Sequence, residues 1–147
     1  MAINFKQNQD ASAGLQGTDG DDGAFVVVVM PWSAITNTTG AFLTVSGPIM
    51  QRRMIVKSIQ YINDTTATNA VTATVYKTAS GTALASGTAL HSSTANLQAT
   101  AATNATLTLS TTSGVLDVAA GSRIGFVISS SPGAAGVGSI TVTLAPA

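Results

Sequence analysis

The chain has no cysteine, which excludes a disulfide framework and any thiolate metal site. It has no glutamate either. Its six acids are all aspartate, balanced by six Lys and Arg to a formal net charge of zero. Charged residues are 8% of the 147, against about 25% in an average soluble domain. Without a basic excess, nucleic-acid binding is not expected. So few charges give weak colloidal repulsion, which favours an assembled subunit over a lone monomer. Aromatics are scarce at 5%, and there is one histidine. The amino-terminal residues lack the basic and apolar regions of a secretion signal. The apolar run at 25–30 is too short to cross a bilayer, so no membrane association is expected.

What remains is rich in Thr, Ser, Ala, Gly and Val, a composition that favours strands over helices. A chain of this length can bury roughly 70% of its unfolded surface, so one domain with a core is feasible. The stretch 115–129 organises the second half and reads as a hairpin. Leu116 and Val118 alternate with Asp117, residues 119–122 form a tight turn with Gly121 at positive φ, and Ile124, Phe126 and Ile128 share one face of the next strand. Further strands are expected at 25–30, 41–45, 54–62, 71–77, 105–110 and 139–144. Residues 25–30 read as a strand covered on both faces, ended by Pro31, with Trp32 in the following loop. Gly47-Pro48 reads as a turn. The mixed alternation of 54–62 predicts a bulge, or partial burial of both faces. Val71, Ala73 and Val75 share one face of their strand, opposite Thr72, Thr74 and Tyr76, while Ile140, Val142 and Leu144 face inward. The whole is an all-β, antiparallel sandwich or jelly roll of about eight strands at 25–147, preceded by an extended arm at 1–24.

The arm is polar around the isolated Ile3, Phe5 and Leu15. It reads either as a loose terminus or as an arm whose Ile3 and Phe5 dock on a neighbour. The aspartates at 19, 21 and 22 stand near Gly20 and Gly23, as in a calcium loop, but no closing glutamate follows, and an Asx-rich turn is the plainer reading. Trp32 is either a stacking or interface anchor or a cap on one end of the sandwich. Arg52 and Arg53 are either a solvated strand edge or partners for acidic groups on another protein. His91 has no nucleophile or acid near it in sequence and reads as structural. Asp64 and Asp117 are isolated carboxylates, and nothing in the spacing joins them into a glycosidase pair. No phosphate loop is present. Neither enzymatic activity nor a cofactor or metal is expected.

Five segments, MIVKSI at 54–59, VTATVYK at 71–77, NATLTL at 104–109, LDVAAGSRI at 116–124 and GSITVTL at 138–144, follow a rhythm that resembles the small β-sandwich virion proteins of tailed bacteriophages, head decoration (cement) proteins in particular. The resemblance spans roughly 50–145 and leaves 1–45 outside. It implies a homotrimer on the outer surface of a capsid assembled in the host cytoplasm. There it would bridge neighbouring copies of a major capsid protein; the residues read above as interface candidates, Ile3, Phe5, Trp32, Arg52 and Arg53, would make the contacts. The alternative is a carbohydrate-binding or adhesion module of a phage fibre, with Trp32 and Tyr76 stacking on sugars. A self-assembling jelly-roll shell protein is a third reading.

Overall fold

The computed structural model describes residues 25–33, 44–130, 133 and 135–147. The arm at 1–24, with Ile3, Phe5 and the Asp19–Asp22 turn, lies outside the described residues. Among the described residues ten strands follow one another: β1 (Val26–Ser33), β2 (Thr44–Ile49), β3 (Met54–Thr65), β4 (Thr72–Thr78), β5 (Thr88–Ala89), β6 (Ala95–Asn96), β7 (Asn104–Thr106), β8 (Asp117–Val118), β9 (Arg123–Ile128) and β10 (Val137–Pro146). Among the described residues, helical structure is one 3₁₀ turn at Leu84–Ser86. The expected all-β class holds, with the short segments at 88–89 and 95–96 adding to the strand count.

Two antiparallel sheets form. One runs β1-β10-β3-β7 with β8 also on β3; the other runs β2-β9-β4-β5 with β6 also on β4. The pairings nest: β1 with β10, β2 with β9, β3 with β8 and β7, β4 with β6 and β5. The chain is in effect one long antiparallel ribbon rolled up, so that β1 to β4 alternate between the sheets, as do β8 to β10. That is jelly-roll order.

The core lies between the sheets. From β10 come Ile140, Val142 and Leu144, from β4 Ala73 and Val75, and from β9 Ile124, Phe126 and Ile128, all fully buried. Period-two alternation put these residues inside because a strand side chain has only two faces to choose from. The five residues of β9 after Arg123, 124–128, are all buried, and the 3₁₀ turn packs against this strand. The bulge in β3 is also present. Thr143 pairs with Ser58 and Leu144 with Val56, so Lys57 is the extra residue. It is exposed, and the slip lets Met54 and Val56 on one side of it and Ile59 and Tyr61 on the other all reach the core.

Four expectations need correction. The 115–129 stretch is not a hairpin. Gly121 does adopt φ 80°, but β8 pairs with β3 while β9 sits between β2 and β4. The turn therefore crosses from one sheet to the other. Pro31 does not end β1, which runs on through Trp32 to Ser33 opposite β10. Among the described residues β1 pairs on one side only, and an edge strand tolerates a missing donor. Residues 25–30 are not covered on both faces: Val28 and Met30 are buried while Phe25, Val27 and Val29 are exposed. Finally, Gly47 and Pro48 lie inside β2, at a register shift against β9, rather than in a turn between strands.

One close approach locks the start of β10. A Cβ on Gly138 would stand 2.2 Å from the Ile62 carbonyl oxygen and 2.8 Å from the Trp32 indole nitrogen. The first contact is backbone and has no rotamer to relieve it. Gly138→Ala is expected to destabilise the protein by about 1–3 kcal/mol, as overpacking does. Urea unfolding followed by circular dichroism checks this, with Gly81→Ala as a positive-φ control whose added Cβ meets nothing within 4 Å.

Candidate functional site

Arg53, Lys77 and Asp117 gather at one end of the sandwich. β3 begins there at Met54, and β8 pairs with it, placing Asp117 opposite Ile55. Arg53, just before β3, donates its Nε to both Asp117 carboxylate oxygens at 2.9 and 3.0 Å, and its Nη2 to Oδ2. This is a forked arginine–carboxylate pair. It lies in the open, with Arg53 side chain 66% exposed, so solvent screens it and its stability contribution is small. The Arg53 hydrogen bond holds the Asp117 carboxyl below its ordinary 3.8, and burial opposes this. Lys77, at the end of β4, reaches across and donates to the carbonyl oxygens of Gly114, at 2.7 Å, and Asp117. Burial lowers the Lys77 pKa and Asp117 opposes that shift.

Arg53, read in the sequence as a solvated edge or as a partner for acidic groups on another protein, pairs here with Asp117 of the same chain. Arg52 is exposed beside it in the link between β2 and β3. Lys77 went unnoticed in the sequence although a signal was there: it shares the inward phase of Val71, Ala73 and Val75, and an inward lysine needs oxygen partners. A cleft of about 260 Å³ opens between Lys77, Asp117, Thr82, Ser86, Thr88 and Ser122. Next to it, sharing Thr82, a second cleft of about 370 Å³ is lined by Ile49, Ser80, Thr82, Gly121 and Arg123.

Other candidates are dispersed. His91 is 9% exposed. Its Nε2 accepts the Val75 N–H at 2.9 Å and its Nδ1 donates to the Ser93 carbonyl, so both ring nitrogens are engaged in holding the β4–β7 connection. Asp64 and Asp117 sit at opposite ends of β3. The rise from Ile55 to Asp64 is roughly 30 Å, far beyond any two-carboxylate mechanism. Among the described residues no group of three or more His, Asp or Glu could hold a metal. Trp32 is not in a loop. It is 3% exposed, with its indole packed against the backbone at Gly136 and Gly138, so it cannot stack on a sugar or anchor a partner in this conformation. Because β1 continues past Pro31, residue 32 falls in the same inward phase as Val28 and Met30.

No protein-family model matches the chain, and no curated protein does. Among solved structures, one described as the structure of infectious bursal disease virus Gt strain is similar at 19% identity over 83% of this chain, with a TM-score of 0.38. The match spans 32% of that structure's chain. At this level the likeness carries no argument.

The remaining surface feature is apolar. Of the exposed large hydrophobic residues, Phe25, Val26, Val27 and Val29 belong to β1 or precede it directly, and Val137 is paired next to it, opposite Ser33. Ile49 lies apart, on β2. Beside the valines, the outer face of the first sheet carries Ser139, Thr141 and Thr143 from β10 and Ser58 and Gln60 from β3, all partly buried. On the opposite sheet Tyr76 is half-buried at a shallow depression of about 420 Å³, shared with Thr44, Thr74 and Val127.

Two outcomes test these assignments. Trp32→Ala is expected to cost about 3–5 kcal/mol of stability, as loss of a large core aromatic does. The wild-type tryptophan should fluoresce as a buried indole and resist acrylamide quenching. For His91, burial lowers the pKa from its ordinary 6.5, and the Ser93 hydrogen bond only partly offsets this. The folded form therefore holds the ring neutral while the unfolded chain takes a proton near 6.5. Stability is full above that pH and is lost as pH falls below it. Melting temperature should drop between pH 7.5 and pH 5, and His91→Gln should flatten that slope. Asp117, with its pKa lowered, titrates below this window.

Proposed function

We propose that this chain is a structural virion protein that decorates an assembled capsid and stabilises it by bridging neighbouring capsomers, acting as a homotrimer and not as an enzyme. The observation that carries the reading is the exposed apolar edge formed by Phe25, Val26, Val27, Val29 and Val137. Soluble monomers guard an edge strand with charge, bulges or a covering segment. β1 has no charged residue at all, and Pro31 is its one guard. An edge of this kind suits burial against other subunits. The jelly-roll order supports the reading by analogy of fold, since viral capsid domains use it. So does the low charge, which suits a subunit held by neighbours.

The carbohydrate-binding alternative keeps one supporting observation, the outward Tyr76 in its shallow depression. It loses the other aromatic it relied on, because Trp32 is internal. Glycan-array binding abolished by Tyr76→Ala would favour it over decoration.

Native mass decides between these readings. Sedimentation equilibrium of the full chain is expected to give a species near three times 14.6 kDa, and Val27→Asp with Val29→Asp should return it to a monomer that still melts cooperatively. Both substitutions sit on exposed positions, so the fold has no reason to fail. A wild-type monomer at all concentrations that also fails to bind capsid shells would overturn the proposal.

A further inference from the structure

One side of β4 pairs with β9 from Ala73 to Thr78. The other side is closed in two pieces. β5 pairs with Tyr76 and Lys77, and β6 pairs with Thr72 and Ala73. Between these pieces Val75 makes two bonds to the strap formed by residues 88–97. Its carbonyl oxygen accepts the Leu90 N–H at 2.9 Å. Its own N–H donates to His91 Nε2, also at 2.9 Å. A side-chain ring therefore stands where a ladder would place a carbonyl oxygen. On its far side the strap is held by the segment after β7. The Ser92 N–H donates to the Thr108 carbonyl, the Ser110 N–H to the Leu90 carbonyl, and the Thr108 N–H to Ser93 Oγ.

These partners fix the tautomer. Nε2 is bare to accept from Val75, and Nδ1 carries the proton given to the Ser93 carbonyl. A protonated ring carries N–H on both nitrogens. It would set Nε2–H against the Val75 N–H and leave a buried donor unpaired. No carboxylate stands by to compensate. Residues 88–110 hold no other titratable side chain. Among the described residues, β4 brings Tyr76 and Lys77, whose ammonium is engaged by the Gly114 and Asp117 carbonyls. β3, beside β7, brings the buried Tyr61, with Lys57 and Asp64 exposed. What acts on the ring is burial, opposed by the Ser93 carbonyl.

We propose that His91 is an acid-released latch: protonating its ring frees the 88–97 strap from β4 and lays bare that strand's edge. An unpaired edge is a template for a strand of another chain, so acid would uncover a second pairing surface besides β1. The strap also carries Leu90 and Leu97, both fully buried, so its opening is a minor excursion at neutral pH. The closed form keeps the ring neutral, and the open form takes a proton near the ordinary 6.5. Opening therefore grows as pH falls below 6.5, until the closed form itself protonates. Between pH 7.5 and pH 5 the open population rises by up to about 30-fold. The latch works whether or not the chain decorates a capsid.

Native-state hydrogen exchange on the full chain in low urea, corrected for the intrinsic pH dependence of amide exchange, tests this. The Val75, Leu90 and Leu97 amides should exchange through an opening with little urea dependence, faster than Ile140 and Val142 in β10. That opening should grow by up to about 30-fold from pH 7.5 to pH 5. In His91→Gln the growth should vanish, since a glutamine amide can accept from Val75 and donate to Ser93 without titrating. Exchange of these amides only with the whole fold, an opening constant with pH, or an unchanged rise in His91→Gln would overturn the proposal. If that variant fails to fold, the wild type decides through its single histidine. Its NMR titration should show the Nδ1–H tautomer and a midpoint below 6.5, and a midpoint at or above 6.5 would overturn the latch.

Discussion

The position of β10 between β1 and β3 is the constraint on which the fold depends. The last strand must find the first and the third before the first sheet exists, and Ile140, Val142 and Leu144 then supply the buried face of that sheet. Nested pairings of this kind have long sequence separations throughout. Their closure entropy must be met before any contact repays it, so slow folding is the natural consequence. No disulfide shortens the search, because there is no cysteine. The core that rewards it is built of aliphatic residues, with Phe126, Tyr61 and Trp32 the large exceptions. Side chains with few rotamers lose little entropy on burial, which suits a chain this poor in aromatics.

What was legible in the sequence was local. The inward phase of Val71, Ala73 and Val75 and of Ile140, Val142 and Leu144 needed only period two, and the irregular alternation of β3 announced the bulge at Lys57. What was not legible was pairing. The turn at Gly121 has the same local chemistry whether its flanking strands join one sheet or two, and here they join two. Trp32 was misread for a related reason. Proline ends a central strand because the ladder needs its N–H, but β1 is an edge, and its edge status depends on residues more than a hundred positions away. Once β1 continues through Pro31, the phase set by Val28 and Met30 carries Trp32 inside. The contact residues fared unevenly: Arg53 proved to be spoken for by Asp117, and Ile3 and Phe5 lie outside the described residues.

The few charges are placed where they do structural work that apolar groups could not. Lys77 bonds two carbonyl oxygens of the 114–117 segment, and Asp117 in turn takes the Arg53 fork, so three ionic groups fix the crossing from β8 to β9 at the point where the chain changes sheets. His91 acts similarly for the β4–β7 connection, satisfying one donor and one acceptor with a single neutral ring. Asn63 does the same at the far end: it is 1% exposed and its Nδ2 donates to the carbonyls of Asn96 and Ala99 at 3.1 and 3.3 Å. In each case a polar side chain anchors a loop that has too little apolar content to anchor itself.

That economy sharpens the meaning of the β1 edge. Charge was available to this chain: the cations cluster at one end and the aspartates crowd the segment just before Phe25. None of it is spent on the strand most exposed to unwanted pairing. If β1 faced water throughout the protein's working life, a lysine at Val27 or Val29 would protect the edge at no cost to the core, since neither side chain points inward. Under the proposed assembly, a neighbouring subunit is what would cover these valines. Among the described residues charge and hydrophobicity are kept apart: Arg53, Lys77 and Asp117 stand together at the Met54 end of β3, while the uncharged valines run along the β1 edge.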